Sequence, residues 1–221
     1  MDRARRAGEV SSTRGRGGRS LDSSRDLVLR EAALALLAEV GYDRLTMDAV
    51  AARARAAKTT IYRRWPGKAE LVVDALTSLK GPPEIPDTGS LRQDLRALAE
   101  SITSPESRFG AQVTIGMVSA LARDAELRRV FGEKFIAPRM AGFRAVFERA
   151  VARGEMPAGH DLDLLARLFP ALGLQQIVTS GELPGTRLAC QIMDEVVYPL
   201  ATAPAPGPLP GPGCRRRRPT A

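Results

Sequence analysis

Between Thr46 and Lys68 the chain concentrates side chains that donate hydrogen bonds: Thr46, Arg55, Lys58, Thr59, Thr60, Tyr62, Arg63, Arg64 and Lys68. Hydroxyl, ammonium and guanidinium groups in one short stretch suit two kinds of acceptor, phosphate oxygens and the edges of nucleic-acid bases. An arginine can grip the O6 and N7 of a guanine together, and a threonine at a helix N-terminus can offer its hydroxyl and the free backbone N–H groups to a phosphate. Rival chemistries lack their parts. The one histidine, His160, has no cysteine at ligand spacing, which speaks against zinc. No nucleophile stands with a base, and neither a glycine-rich phosphate loop nor metal-spaced carboxylates occur, so neither an enzyme nor a cofactor is expected. Cys190 and Cys214 are too few for a disulfide framework and read as unpaired thiols.

Two short helices are needed to present those donors. Thr46 is placed to cap a helix over Met47–Arg53 that turns Met47, Val50 and Ala51 inward, and Ala54–Ala56 form the turn that follows. A second helix, Lys58–Trp65, buries Ile61 and Trp65 and turns Lys58, Thr59, Thr60, Tyr62, Arg63 and Arg64 outward. Alanines at 49, 51, 52, 54, 56 and 57 let the two helices cross closely. This is the geometry of a helix-turn-helix, whose second helix enters a major groove about 12 Å wide. Ahead of it, Arg25–Val40 carries the stripe Val28, Leu29, Ala32, Ala33, Leu36, Leu37 and Val40, stopped by Gly41. Behind it, Pro66-Gly67 gives way to a helix over Lys68–Leu79 with Leu71, Val72, Ala75, Leu76 and Leu79 inward.

The order Gly41-Tyr42, Thr46-Met47-Asp48-Ala49-Val50-Ala51-Ala52-Arg53-Ala54, Lys58-Thr59-Thr60-Ile61-Tyr62-Arg63-Arg64-Trp65-Pro66-Gly67-Lys68-Ala69-Glu70-Leu71 resembles the DNA-binding domain of the TetR family of bacterial transcriptional regulators. The likeness spans roughly residues 25–76, and Phe143–Glu155 is similar to C-terminal domains of the same family. It implies that Thr46 and Lys68 hold phosphates, that Thr60 and Tyr62 meet the DNA backbone, and that Lys58, Thr59 and Arg63 face base edges. Arg14, Arg16 and Arg19 of a basic arm would reach the minor groove. The chain departs from the family pattern at Arg55, where a turn glycine is usual, and at Ala57, where a capping hydroxyl is usual; the missing cap forgoes about 1 kcal/mol.

Around this core of donors, the charge is uneven. Residues 1–24 hold six Arg against three acids and residues 25–80 ten Lys/Arg against seven, whereas residues 81–200 hold thirteen against fifteen. A polyanion partner is therefore expected for the first third alone. Residues 1–24, rich in Arg, Gly and Ser, and residues 201–221, rich in Pro and Gly and ending in Arg215–Arg218 and beyond, read as disordered basic arm and tail. Charge runs of this kind are more often solubilising than sequence-reading. The break Gly81-Pro82-Pro83-Glu84-Ile85-Pro86-Asp87 divides a domain at 25–80 from one at 81–200.

Helical periodicity runs almost throughout, so the fold class is all-α: a three-helix helix-turn-helix domain followed by a larger helical ligand-binding and dimerisation bundle. In the second domain helices are expected at Leu91–Ile102, Ala111–Arg123 and Ala125–Val151, the last bent at Pro138. Asp161–Gly173 and Gln175–Ser180, interrupted near Pro170, and a final Thr186–Leu200 complete it. Met117, Phe131, Phe135, Met140, Phe143, Phe147 and Phe169 are candidates for a ligand pocket, although aromatics and methionines at helical spacing are mostly plain core. His160 reads as a solvent-facing loop residue, and Glu100, Arg123, Asp124 and Arg139 as surface polars by default. No run approaches the roughly 18 apolar residues of a membrane span, which points to the cytoplasm. The expected protein is a homodimer that binds a double-stranded DNA operator and an unknown small-molecule effector, with repression as the default sign. An architectural protein that binds DNA without reading sequence is the alternative.

Overall fold

Thr46 begins the local logic of the first unit: its Oγ1 accepts the backbone N–H of Ala49 at 3.1 Å, satisfying a donor that the helix itself leaves unpaired. The structure, a computed structural model, describes residues 17–81, 84–104, 113 and 117–207, and the chain divides into two units, Met1–Ala75 and Leu76–Ala221. Among the described residues there are helices and no strand. In the first unit these are α1 (Gly17–Arg44), α2 (Met47–Arg53), α3 (Lys58–Arg64) and the start of α4 (Lys68–Lys80).

Helix α1 starts at Gly17, not at Arg25 as expected, so residues 17–24 belong to the helix rather than to a disordered arm; Arg14 and Arg16 lie outside the described residues. The break expected at Gly41 is present as a left-handed φ of 75° within the span of α1. The buried stripe of α1 contains Leu29, Ala32, Ala33 and Leu37, but Val28 is exposed, as is Leu79 near the end of α4. Two seven-residue helices are too short to be stable alone, and Val50, Ala51 and Ile61 are essentially inaccessible to solvent, as are Leu29, Leu71 and Val72 of the neighbouring helices.

The second unit continues with α5 (Leu91–Thr103), α6 (Val118–Arg123), α7 (Ala125–Phe131), α8 (Ala137–Ala152), α9 (Leu162–Ser180), α10 (Thr186–Ile192) and α11 (Tyr198–Thr202). Its seam consists of Leu91, Leu95 and Leu98 of α5 against Phe143, Val146 and Phe147 of α8, with Leu165 and Phe169 of α9 and Ile192 and Met193 closing it. Asp94 is buried in this apolar setting. It accepts both the N–H and the hydroxyl of Thr88 at 2.7 Å, with Arg153 at 3.3 Å on its other oxygen. Glu155 caps α5 from a distant part of the chain, taking the Leu91 N–H at 2.7 Å.

Three prolines lie at or within helices of this unit. Pro138 and Pro199 each sit at the head of an α-helix directly after a π-helical turn, Gly132–Ile136 and Met193–Val197. A proline offers no N–H to the carbonyl four residues back, and widening the preceding turn re-routes those carbonyls without stopping the rod. Pro170 does not interrupt its helix: α9 is continuous from its Asp161 cap to Gly181, whose φ of 73° ends it. Pro170 itself is exposed while Leu165, Ala166, Phe169 and Gly173 are buried, so packing on the opposite side keeps the two halves in register. No helix among the described residues is long and apolar enough to cross a membrane.

Candidate nucleic-acid interface

The turn between α2 and α3 is a Schellman motif. The N–H of Arg55 reaches Ala52 O at 3.1 Å and that of Ala56 reaches Ala51 O at 2.9 Å, which requires a left-handed residue between them. Arg55 occupies that place with φ 50°, where glycine would sit without strain. Ala57 then starts α3 with no side-chain cap, as its methyl dictates.

Once started, α3 is aimed by its one fully buried side chain, Ile61. Opposite it Tyr62 is 51% exposed, with Lys58, Thr59 and Arg63 exposed beside it and Thr60 half buried. Thr46 and Arg55 are exposed too. Thr60 also lines a groove of about 350 Å³ with Ser24, Arg25, Val28, Ala54 and Ala57.

Arg64 departs from the expected outward set. It is half buried and its Nη1 donates to Asp26 Oδ2 of α1 at 2.7 Å, because the last turn of α3 lies against α1 instead of standing clear of it. Trp65 follows, buried, and its indole N–H donates to Asp74 Oδ2 at 2.8 Å; Arg30 Nε meets the same oxygen at 2.8 Å. One α4 carboxylate thus holds α1 and the end of α3. Lys68 is half buried as well, donating to Tyr42 O at 3.0 Å with its ammonium 4.1 Å from the centre of the Tyr42 ring.

Two further cations are held by acids from neighbouring helices. Arg53 forks onto Glu39, both N–O distances 2.6 Å, and that hydrogen-bonded fork holds the Glu39 carboxyl below its ordinary range. Lys58 Nζ lies 2.6 Å from Asp48 Oδ2, which keeps the ammonium protonated above its usual value. Asp26, Glu39, Asp48 and Asp74 were not singled out from sequence. The available signal was the seven acids mixed among ten basic residues in 25–80, too many to be repelled by the partner of a purely basic face.

The apolar candidates of the second unit fall into two groups. Phe143, Phe147 and Phe169 belong to the buried seam, with Met140 packed on its margin. Phe131 and Phe135 stack on each other at 4.8 Å, and Met117 is buried outside that seam. Arg139 is not a surface polar: half buried, it lies 3.8 Å from the Phe135 ring and donates to Phe135 O and Gly81 O, and burial lowers its pKa from the usual value. Asp124 caps α7 through the N–H of Leu127, and Glu100 and Arg123 are exposed. His160 is half buried with Nε2 2.9 Å from Ala203 O, since the start of the tail runs beside its loop. Cys190 is a free thiol, and no group of His, Cys, Asp and Glu among the described residues is arranged to hold a metal.

Comparison with known proteins agrees on both units. Residues 29–75 match the family described as bacterial regulatory proteins, tetR family, and residues 85–196 match the tetracyclin repressor-like C-terminal domain. The chain is 36% identical to the uncharacterized HTH-type transcriptional regulator Mb1581 of Mycobacterium bovis, over 81% of this chain and 89% of that one. It is 33% identical to the DNA-binding transcriptional repressor TetR of Mycobacteroides abscessus, over 80% and 94% of the two chains. Among solved structures, the TetR family regulator SCO0332 superposes with a TM-score of 0.63 at 24% identity, covering 78% of this chain and 96% of the other. GusR of Salmonella enterica superposes with a TM-score of 0.61 at 19% identity, covering 81% and 96%.

Proposed function

Because the chain belongs to the TetR family of bacterial regulatory proteins, which are DNA-binding transcriptional regulators and not enzymes, we propose that it is a homodimeric repressor whose operator is released on binding a small molecule. The observation that carries this reading is the exposed side of α3, where Lys58, Thr59, Tyr62 and Arg63 stand together opposite the buried Ile61. Arg63 and Thr59 read base edges, Thr46, Arg55, Thr60 and Tyr62 meet the backbone, and Lys68 reaches a phosphate with the N–H donors left over from Tyr42. Arg64 stays with Asp26 and serves to hold the helix. Repression is favoured by the likeness to the DNA-binding transcriptional repressor TetR of Mycobacteroides abscessus.

A single short helix reads few base pairs, so a two-fold pair on a near-palindrome is the economical solution. The pairing surface falls on α9 and α10–α11. Leu164, Leu174 and Val178 of α9 and Leu200 of α11 are exposed, Val178 to 75%, and Leu172, Gln175, Leu188, Gln191 and Val196 line an open groove of about 270 Å³. The effector site lies in the second unit around Phe131, Phe135, Met117 and Met140; a ligand there shifts the population of dimers toward a spacing that no longer fits successive grooves. The protein works in the cytoplasm, where its DNA is.

The test begins with a duplex selected from a random pool by the full-length chain. It should bind at least about a thousandfold more tightly than a scrambled duplex; equal binding would establish the architectural alternative. Arg63→Ala should cost about 1–3 kcal/mol on the selected duplex alone. Lys68→Ala should weaken both duplexes alike and flatten the salt slope by about one unit, with its melting transition recorded because Lys68 also caps Tyr42. A monomer in sedimentation at micromolar concentration would refute the dimer.

A further inference from the structure

Lys58 opens α3, and Asp48 stands in the first turn of α2; their side chains meet at 2.6 Å. Neither is sheltered, the Lys58 side chain being 65% exposed and that of Asp48 55%. An ion pair so wet adds little to folding, and the Schellman turn together with buried Val50 and Ile61 already joins the two helices. The more enclosed pair, Arg64–Asp26 at 21% and 15% exposure, fastens α3 to α1.

We propose that Asp48 is a specificity-determining residue, which withholds Lys58 from duplex phosphates and so suppresses binding to non-cognate DNA. A lysine ammonium is a flexible point charge that bonds any phosphate within reach, and each such contact deepens the salt dependence without reading a base. With a carboxylate already at 2.6 Å, a phosphate that reaches Lys58 must crowd or displace an anion of the same sign. In either case Asp48 faces the phosphate backbone. A random duplex offers nothing more at that place. A cognate duplex offers a neutral base-edge acceptor, and an ammonium has three N–H donors, so Lys58 can bond the base while it keeps Asp48.

This inference rests on the reading face proposed above, and the two fail differently. If the unaltered chain selects no duplex, the reading face is wrong and this inference falls with it; if the unaltered chain discriminates and the Asp48 variant behaves identically, this inference alone is wrong. In full-length D48N, the scrambled duplex should bind roughly threefold to fivefold more tightly, with a salt slope steeper by about one unit, while the selected duplex gains less. The specificity ratio therefore falls. In the K58M background the D48N gain should vanish, since the carboxylate acts through that ammonium. A D48N gain of equal size without Lys58 would show simple repulsion of phosphate and overturn the assignment, as would equal gains on both duplexes. Both side chains are exposed, so all variants should melt with the parent.

Discussion

The first unit is held by polar ties between short helices, whereas the second is held by an apolar seam between long ones. In the first, seven-residue α2 and α3 rely on the half-buried Arg64–Asp26 pair and the shared Asp74 carboxylate to supplement a small core. In the second, helices of 13, 16 and 19 residues bury continuous stripes, and the buried Asp94 is met by Thr88 and by Arg153 from the end of a distant helix. The difference teaches that a reading head cannot devote all its cations to DNA. Part of a basic surface is needed to build the head: Arg64 is half buried against Asp26, whereas Lys58 and Arg63 stand exposed.

The largest effect should come from the seam. Phe147→Ala removes a fully buried ring and should cost about 3–5 kcal/mol in urea unfolding followed by circular dichroism. The single tryptophan, Trp65, lies in the first unit and reports it by fluorescence, so an equal shift in that signal would erase the distinction between the units. Asp74→Ala should cost about 2 kcal/mol, read at the Trp65 midpoint, because it leaves a buried indole N–H without an acceptor. A negligible loss would mean that the head is held by its apolar contacts after all.

Arg55→Gly should raise stability by about 1 kcal/mol, by removing a side chain from the left-handed region, and should weaken binding to any duplex if Arg55 touches phosphate. The smallest effect concerns pH. Hydrogen bonds from the Leu91 N–H, first, and from Arg153 depress the folded pKa of Glu155 below its ordinary value of 4.5. A depressed carboxylate stabilises the fold above its unfolded pKa and loses that contribution as pH falls through the folded one. The gap in unfolding free energy between the parent and Glu155→Gln should thus be constant near neutrality and close as pH drops below about 4.5. A gap that stays constant into acid would remove Glu155 as the cap of α5.

Legibility followed the local signals. The bounds of α2 and the beginnings of α3, α4 and α5 were readable because Thr46, the alanine turn, Pro66-Gly67 and the Gly81–Asp87 break act within a few residues of themselves. Pro170 misled because the chain alone does not say which side of α9 is packed, and the π turns before Pro138 and Pro199 left no compositional mark. The outward set on α3 was right for Lys58, Thr59, Tyr62 and Arg63 but not for Arg64, whose fate depends on an aspartate far away in α1.

Residue order by itself determined the class of the protein, the sites of its short helices and the kind of partner its donors suit, since caps, breakers and helical periodicity are short-range physics. Only the tertiary structure decided which of those cationic donors stand exposed. Whether a guanidinium or ammonium faces solvent or a carboxylate depends on helices brought together from distant parts of the chain, and on the water that their packing excludes.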